Sequence, residues 1–375
     1  MTGYERCLAA IQGGALDRVP AYTPTIASDV AGRILGRTAY TGGPALNYAG
    51  AAAWQAFYDQ HIEDIIELHR VLAQDIIRLP WFVNIRPTAR INPTTFLCGD
   101  PNGDHQIWRW YEEVGNFIPD RKSAASRVED WPEMARRNAK SVEKAIAFTS
   151  ENAGLREARL QERLGDSMMV IAGGPVLSLG TDEVSLIATV DEPGAVEDLL
   201  ECSLAIGLAQ VKAIASRGIK AVLGGGDMAD KNGPLYSPEM FRRFMLPRWK
   251  KLADCCRELG LHYVFRSDGN LWQVADMLFR EAGIPGFGEV DFDATMTTAQ
   301  VRARYPDLVI WANLSGDLLR RGTAEAVYRH SMEQLEASGG RKYFHGCSNT
   351  ILPGTPPENV HAMMQAREDF SCRLR

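Results

Sequence analysis

The sequence predicts an α/β protein built as a single (β/α)8 barrel, or TIM barrel, and three observations support this fold class. Six strand-then-helix units follow one another from Asp166 onward. Their strands are near-continuous apolar runs and their helices are amphipathic, which is typical of a parallel sheet buried on both faces. Two earlier apolar runs, at 18–24 and 79–85, raise the strand count to about eight, the number that closes such a barrel.

The amino-terminal part of the chain predicts a helical extension. Residues 2–14 read as a helix closed by glycines, and a short apolar run within 17–26 follows as the first strand. Residues 51–77 carry apolar residues at helical spacing, which indicates a long amphipathic helix.

An insertion interrupts this pattern at about 94–118. Aromatic and polar residues alternate there around turn sequences at 100–103 and 114–116, as an antiparallel β-hairpin requires. The hairpin could cover a site or serve only as a structural edge. No stretch of flexible composition divides the chain, so residues 1–375 are expected to form one domain.

The six repeated units supply the remaining strands and helices. The predicted strands lie at 168–174, 220–227, 262–269, 286–291, 308–316 and 343–349. The helices that follow them lie at 192–218, 237–260, 270–283, 297–305, 323–340 and 356–370. Helices of this kind cover the outer face of a barrel.

Composition and charge exclude several classes of protein. Hydrophobic residues make up 45% of the chain and charged residues 23%, as in an ordinary globular protein. The net charge of −6 argues against a nucleic-acid partner. No apolar run approaches the roughly 20 residues that cross a bilayer, and the first residues lack a signal peptide's apolar core. Seven cysteines without a CxxC pair indicate reduced thiols, so a cytoplasmic location is expected.

Polar and reactive side chains follow nearly every predicted strand. In a barrel of this kind the loops at the carboxyl ends of the strands converge on one axial cavity, where active sites lie. One acid at a strand end is more often a helix cap than a catalyst. When polar groups from several strands meet at one rim, they need a ligand or water as a hydrogen-bond partner. These residues are Asp227, Arg266, Asp268, Asn270, Glu289, Asp291, Asn313, His345 and Cys347.

Three of the rim residues have the chemistry of catalytic groups. Asp227 and Asp268 could accept protons or bind a cationic nitrogen. Arg266, fixed in charge, could hold a substrate carboxylate or pair with Asp268 and only brace two strands. The candidate substrate-binding residues are Asn270, Glu289, Asn313 and His345. The two asparagines could equally cap helices.

His345 and Cys347 are the candidate metal ligands. Alternate residues of a strand share a face, so this pair would place an imidazole and a thiolate on the same side, which suits zinc. Zinc needs further ligands, and a carboxylate is the expected third. A packed histidine beside a buried thiol is the alternative.

Five stretches of the chain resemble the uroporphyrinogen decarboxylase superfamily. They occur in the family's order and span nearly the whole chain. The stretches are "ERCLAAIQGGALDRVP", "GGGDMADKNGPLYSPEMFRRFMLPRWKKL", "VFRSDGN", "NLSGDLLRRGTAEAV" and "GCSNTILPGTPPENVHAMM". The superfamily includes the decarboxylase and the corrinoid-linked methyltransferases and O-demethylases, so the resemblance implies a barrel independently of the strand count.

Departures from the family pattern favour its methyltransferase and O-demethylase branch. The hallmark Arg-Gln-Ala-Gly-Arg of the porphyrinogen-binding loop is missing from 25–37. Thiol methyltransferases of the family hold zinc with a His-x-Cys pair at the position of Arg266 and Asp268, and with a cysteine that corresponds to Cys347. Arginine cannot ligate zinc, which places the usual zinc site in doubt. "RSDGN" and "SNTI" resemble the "HSDGN" and "SNSI" segments of the demethylase-like branch.

The resemblance implies transfer of a methyl group from a small O-, N- or S-methylated donor to a corrinoid (cobalamin) carried by a separate partner protein. Arg266 would stabilise a phenolate-like leaving oxygen, and Asp227 or Asp268 would manage the proton. Two alternatives stand beside it: a decarboxylase of an aromatic or tetrapyrrole-like acid, and a binding protein without catalysis. The sequence leaves the donor, the acceptor, a bound metal and a homodimer open.

Overall fold

The computed structural model describes residues 1–42, 54–79, 88–102, 105–111, 116–119, 130–180, 182–311 and 313–373. Its strands, in chain order, are β1 (Thr25–Ile26), β2 (Ile76–Arg78), β3 (Ala89–Asn92), β4 (Thr95–Gly99), β5 (His105–Tyr111), β6 (Asn116–Pro119), β7 (Met169–Val176), β8 (Ala221–Gly225), β9 (Ala229–Asp230), β10 (Gly233–Pro234), β11 (His262–Arg266), β12 (Gly286–Gly288), β13 (Val309–Trp311), β14 (Tyr343–Phe344) and β15 (Thr350–Ile351).

Helices alternate with the strands of the barrel. They are α1 (Gly3–Gln12), α2 (Ser28–Leu35), α3 (Trp54–Val71), α4 (Trp131–Asn152), α5 (Leu155–Leu164), α6 (Glu183–Asp191), α7 (Pro193–Ser216), α8 (Pro238–Met240), α9 (Leu246–Glu258), α10 (Thr298–Arg304), α11 (Gly316–Arg321), α12 (Ala324–Ser338) and α13 (Pro357–Arg373). Two π-helical turns, Phe241–Met245 and Met277–Glu281, and a 3-10 turn, Phe292–Ala294, complete the set.

Seven of the strands form one parallel sheet, and a short segment closes it into a barrel. The spatial order is β2-β7-β8-β11-β12-β13-β14. Residues 20–22 lie between the two edges: His345 N donates to Pro20 O at 2.9 Å, and Asp75 N donates to Ala21 O at 3.2 Å. This segment is the first strand expected from the sequence. The predicted TIM barrel is therefore confirmed.

The second strand begins earlier than its apolar pattern suggested. The sequence predicts a helix to residue 77 and a strand at 79–85, whereas α3 ends at Val71 and β2 spans Ile76–Arg78. Ala73 has a positive φ of 48°, which ends the helix, and the β-branched Ile76 and Ile77 then pair with β7. Residues 80–85 of the predicted strand lie outside the described residues.

The interior of the barrel is a packed core in its lower part. Its apolar layer includes Ile76, Val264, Trp311 and Phe344, from four different strands. Trp311 stacks on Phe344 with ring centroids 3.8 Å apart. Helix α1, begun by a Thr2 capping box, closes the amino-terminal end of this core. The predicted amino-terminal helical extension thus plugs the bottom of the barrel.

One helix corrects the expectation that no segment is apolar enough to cross a bilayer. Within the described residues, α7 is long and apolar enough for this by length and composition alone. In the fold it packs against α4, α9 and β7, and Val211 and Ile214 are buried. Its apolar surface therefore forms contacts with three other elements of the barrel.

The insertion is larger than the predicted hairpin. Strands β3, β4, β5 and β6 form a four-stranded antiparallel sheet over 89–119, in sequential order. Phe96 and Trp108 lie opposite each other on β4 and β5, and both are buried. The predicted alternation of aromatic and polar residues corresponds to these strands, which begin five residues before the expected start at 94.

Candidate active site

The carboxyl end of β11 places a cation inside the upper part of the barrel. Val264 packs in the barrel interior, so strand alternation directs Arg266, two residues later, to the same side. In the sheet register Arg266 lies beside Gly225 and Gly288. A Cβ on Gly225 would lie 2.1 Å from the Arg266 carbonyl oxygen, so only glycine permits this close approach. The two glycines surround Arg266 with backbone rather than side chains.

Arg266 forms a buried ion pair with Glu289, the residue after β12. Arg266 Nη2 lies 2.9 Å from Glu289 Oε1, and the Glu289 side chain is 4% exposed. The second carboxylate oxygen, Oε2, and the Arg266 Nε are both buried without a hydrogen-bond partner. Both residues of the pair therefore have unused hydrogen-bonding capacity in a buried position.

Burial controls the charge state of this pair. It raises the pKa of Glu289 to about 7, although the Arg266 guanidinium opposes the shift and the nearby Asp268 and Asp227 reinforce it. For Arg266, burial alone would lower the pKa, but Glu289 and the two aspartates hold it above its ordinary value. Glu289 consequently titrates near neutral pH beside a permanent cation.

Asp268 and Asp227 lie close to the ion pair but in different surroundings. Asn349 Nδ2 donates to both carboxylate oxygens of Asp268, at 3.2 and 3.1 Å, and burial raises the Asp268 pKa. Asp227 is exposed at the rim. Gly269 forms the turn after Asp268 with a φ of 87°. Glycine is required there, because a Cβ would lie 2.6 Å from the Asp230 carbonyl oxygen. The three predicted catalytic residues thus meet at one rim, with Glu289 as their most buried neighbour.

Two predicted substrate-binding residues lie in a buried network instead of the cavity. Tyr343 Oη donates to Asn313 Oδ1 at 2.6 Å, and Asn313 Nδ2 donates to Gln334 on α12 at 2.6 Å and to Thr298. His345 Nε2 lies 3.2 Å from the Met363 carbonyl oxygen on α13. Phe344 occupies the barrel interior, so its neighbours Tyr343 and His345 face the helices. Asn313 and His345 therefore contact other groups of the protein, whereas the sequence predicted that they bind substrate.

Asn270 forms a hydrogen bond within its own turn, whereas the sequence left substrate binding and helix capping open. Its Oδ1 accepts the Trp272 backbone N–H at 3.1 Å, which fixes the turn after Gly269. Its Nδ2 lies 3.4 Å from Thr295 Oγ1, a long contact. The side chain therefore shapes the rim beside the ion pair, through the backbone of its own loop.

The described residues do not fit a zinc site at His345 and Cys347. No three His, Cys, Asp or Glu side chains in the described ranges lie together as a metal would require. Cys347 is buried among apolar side chains. His345 Nε2 lies 3.2 Å from the Met363 carbonyl oxygen, so this ring nitrogen already has a protein partner. We assign no step to a metal held by this pair.

Three residues that face the cavity were not singled out by the sequence. Arg78 ends β2, two residues after the inward-facing Ile76, and Tyr22 lies in the same interior cluster as Ile76. Asn349 lies between β14, the last strand of the barrel sheet, and β15, and its side chain donates to Asp268. A cation that ends an apolar run, as in "DIIR", was the signal for Arg78. The apparent helix through residue 77 concealed it.

The fold and the rim together define a class of protein. A closed α/β barrel whose strand ends carry a partly unsatisfied Arg–Glu pair and two aspartates has the layout of a barrel enzyme. The family model "Uroporphyrinogen decarboxylase (URO-D)" matches residues 168–370, more than half of the chain. The chain belongs to the uroporphyrinogen decarboxylase family. This family consists of enzymes, among them decarboxylases and methyltransferases.

Individual relatives agree with this assignment. Uroporphyrinogen decarboxylase from Synechococcus sp. (strain CC9605) is 28% identical over 153 residues, which are 39% of this chain and 41% of that protein. The same enzyme from Prochlorococcus marinus (strain MIT 9211) is 28% identical over 145 residues, 37% and 39% of the two chains. Each match thus spans about two-fifths of the relative's length. A methyltransferase from Methanosarcina mazei shares the fold over 99% of both chains, with a TM-score of 0.62 and 18% identity.

Proposed function

We propose that this protein is a methyltransferase that takes a methyl group from a small O-, N- or S-methylated donor. The observation that carries the proposal is the Arg266–Glu289 pair with its two unused polar atoms. Arg266 and the neighbouring Asp268 occupy positions where the resemblance implies metal ligands in relatives. The fold shared with a methyltransferase over nearly the whole chain supports the reaction class. The methyl donor is a small molecule bound at the carboxyl rim of the barrel.

The difficulty of the reaction lies in the leaving group. The bond between the methyl carbon and its oxygen or nitrogen breaks, and the bonding electron pair stays on that atom. An ether or amine therefore needs its developing charge to be neutralised. Arg266 retains an unpartnered Nε that can donate to a developing oxyanion. Glu289, protonated on Oε2 near neutral pH, can give the leaving atom its proton.

The methyl acceptor in this proposal is a reduced corrinoid, treated as a second substrate that a separate protein carries. The chemistry it supplies is a strongly nucleophilic centre that receives the methyl group. The residues of this chain bind the donor, exclude water and hold the proton at Glu289. Asp268, fixed by Asn349, lies close enough to influence the charge of Glu289.

Decarboxylation is the second candidate, and one observation favours it. The guanidiniums of Arg78 and Arg266 both influence the pKa of the buried Tyr22 hydroxyl, so two cations lie near one group, an arrangement that suits a carboxylic acid substrate. The relatives from Synechococcus and Prochlorococcus carry the name of a decarboxylase. In this reaction Arg266 would hold the carboxylate that leaves as carbon dioxide, and Glu289 would protonate the remaining carbon.

The experiment offers the protein a panel of aryl methyl ethers, methylamines and methyl sulfides together with cob(I)alamin. For at least one donor we expect cob(I)alamin absorbance to fall, and we expect mass spectrometry to detect methylcobalamin and the demethylated donor. We expect Arg266→Met to lower kcat/KM about a hundredfold or more, and Arg243→Met, an exposed arginine paired with Glu197, to leave it unchanged.

Two results would count against the proposal. Release of carbon dioxide from an aromatic acid without any corrinoid, with no methyl transfer across the panel, would favour the decarboxylase. Unchanged turnover in Arg266→Met would remove Arg266 from the chemistry.

A further inference from the structure

Arg78 is a charged side chain of the upper barrel that interacts with the Tyr22 hydroxyl. It ends β2, is half-buried, and its Nε is buried without a hydrogen bond. No ion pair joins it to a carboxylate among the described residues, whereas Arg266 on β11 has Glu289. A partly desolvated guanidinium costs free energy unless an anion or a set of acceptors compensates it.

Tyr22 links Arg78 to the reacting end of the site. Its hydroxyl is buried and makes no hydrogen bond of good geometry among the described residues, although the Arg78 guanidinium is near enough to act on it. Burial raises the pKa of Tyr22 to about 12, Arg78 and Arg266 oppose the shift, and Glu289 reinforces it. Tyr22 is therefore within electrostatic reach of Arg78 on one side and of the Arg266–Glu289 pair on the other. The two arginines therefore lie on either side of one buried hydroxyl in the interior of the barrel.

The wall next to Arg78 has room for a ligand. In the sheet register Arg78 lies beside Ile171 of β7, whose side chain packs in the barrel interior. Two residues further along that strand, Gly173 has the same orientation, and a Cβ there would meet no atom within 4 Å. A glycine in place of a side chain thus leaves open space above the register partner of Arg78.

The charged side chains around Arg78 indicate which class of ligand it can bind. Arg266 has three carboxyl groups nearby, those of Glu289, Asp227 and Asp268. Arg78, in contrast, has no ion-pair partner among the described residues. A planar guanidinium fork matches carboxylate geometry with two parallel hydrogen bonds. Asp227, Asp268 and Glu289 would repel a dianion more strongly than a monoanion. These charges favour a single carboxylate over a phosphate.

We propose that Arg78, assisted by the Tyr22 hydroxyl, binds a carboxylate of the substrate and directs its other end toward Arg266. Resting on the proposed methyl transfer, this inference narrows the donor class to methylated carboxylic acids. Arg78 is then a specificity-determining residue, and it takes no part in breaking the methyl bond.

The test compares acids with their amides, which keep the shape and remove the charge. The probes are 4-methoxybenzoate against 4-methoxybenzamide and glycine betaine against its amide, with binding measured by isothermal titration calorimetry. The wild-type protein is expected to bind at least one acid about tenfold to a hundredfold more tightly than its amide. Arg78→Met should abolish this preference, and Arg78→Lys should retain part of it. Circular dichroism and the melting temperature check that each variant is folded.

Arg320→Met is the matched control. Arg320 is also a half-buried arginine of the carboxyl rim without an ion pair among the described residues, but it lines a separate cavity of about 490 Å³ with Asp29 and Trp110. The Arg320→Met variant should keep the full preference for the acid over its amide. The inference is overturned if neither acid binds more tightly than its amide, if Arg78→Met keeps the preference, or if inorganic phosphate binds more tightly than both acids and competes with them.

The outcome separates this inference from the proposed function. An acid preference that depends on Arg78, without methyl transfer from any donor, supports the carboxylate site and overturns the methyltransferase. Methyl transfer from neutral donors that Arg78→Met leaves intact supports the methyltransferase and overturns the carboxylate site.

Discussion

The two ends of the barrel each hold a cluster of arginines and carboxylates, and the clusters differ in how completely they are paired. At the amino end, Asp75 Oδ1 lies 2.5 Å from Arg6 and 2.9 Å from Arg18. Its Oδ2 accepts the Ala21 backbone N–H at 3.0 Å and lies 3.5 Å from Arg367. Both carboxylate oxygens of Asp75 therefore have partners.

At the carboxyl end, the pairing is incomplete. Glu289 uses one carboxylate oxygen for Arg266 and leaves the other buried and free, and Arg78 has no ion-pair partner among the described residues. The amino-end cluster ties α1, the first strand, β2 and α13 together, so its geometry serves the fold. The carboxyl-end cluster costs folding free energy that a bound ligand or water can recover. Similar residue types thus stabilise one end of the barrel and form a site at the other.

The largest expected effect comes from removing the fully paired carboxylate. Asp75→Asn keeps the side-chain shape and leaves Arg6 and Arg367, which are 8% and 1% exposed, without their shared anion. The free energy of unfolding should fall by about 3–5 kcal/mol, measured by urea denaturation. Glu289→Gln is the matched control at the other end, where Arg266 is 30% exposed and less dependent on its partner. Equal losses in the two variants would show that the clusters do not differ.

The second prediction uses the pH dependence of the incompletely paired cluster. The pKa of Glu289 is raised from 4.5 to about 7 in the folded protein, chiefly by burial, so the folded state holds its proton longer than the unfolded state does. This group therefore makes the protein less stable as the pH rises from 4.5 to 7, and its effect is complete above 7. Glu289→Gln removes that contribution.

The measurement is the difference in unfolding free energy between Glu289→Gln and the wild type from pH 4 to pH 8. The difference should grow in favour of the variant between pH 4.5 and 7 and then level off. The charged neighbours of this carboxyl group, chiefly Arg266 and Asp268, are present in both proteins, so the difference reports mainly on residue 289. A difference that stays flat across this range would contradict a raised pKa.

The sequence predicted the barrel but not which face each rim residue occupies. Apolar runs and helical periodicity were enough for the strand count and for the positions of Asp227, Arg266 and Asp268 at strand ends. In a parallel barrel both faces of a strand are buried, so alternation is absent from the sequence. His345 was expected in the cavity for this reason, although Phe344 takes the interior position. Arg78 was missed because the helical pattern of α3 continued into β2.

The smallest expected effect concerns the turn that presents the site. Asn270→Ala removes the hydrogen bond from the Trp272 N–H to Asn270 Oδ1, a local contact at the half-exposed rim. Unfolding free energy should fall by about 1 kcal/mol, and kcat/KM for any donor found should change less than in Arg266→Met. Asn270→Asp, which keeps an acceptor oxygen at this position, should restore the stability. A loss of activity in Asn270→Ala as large as in Arg266→Met, at unchanged stability, would instead indicate that Asn270 contacts the substrate directly.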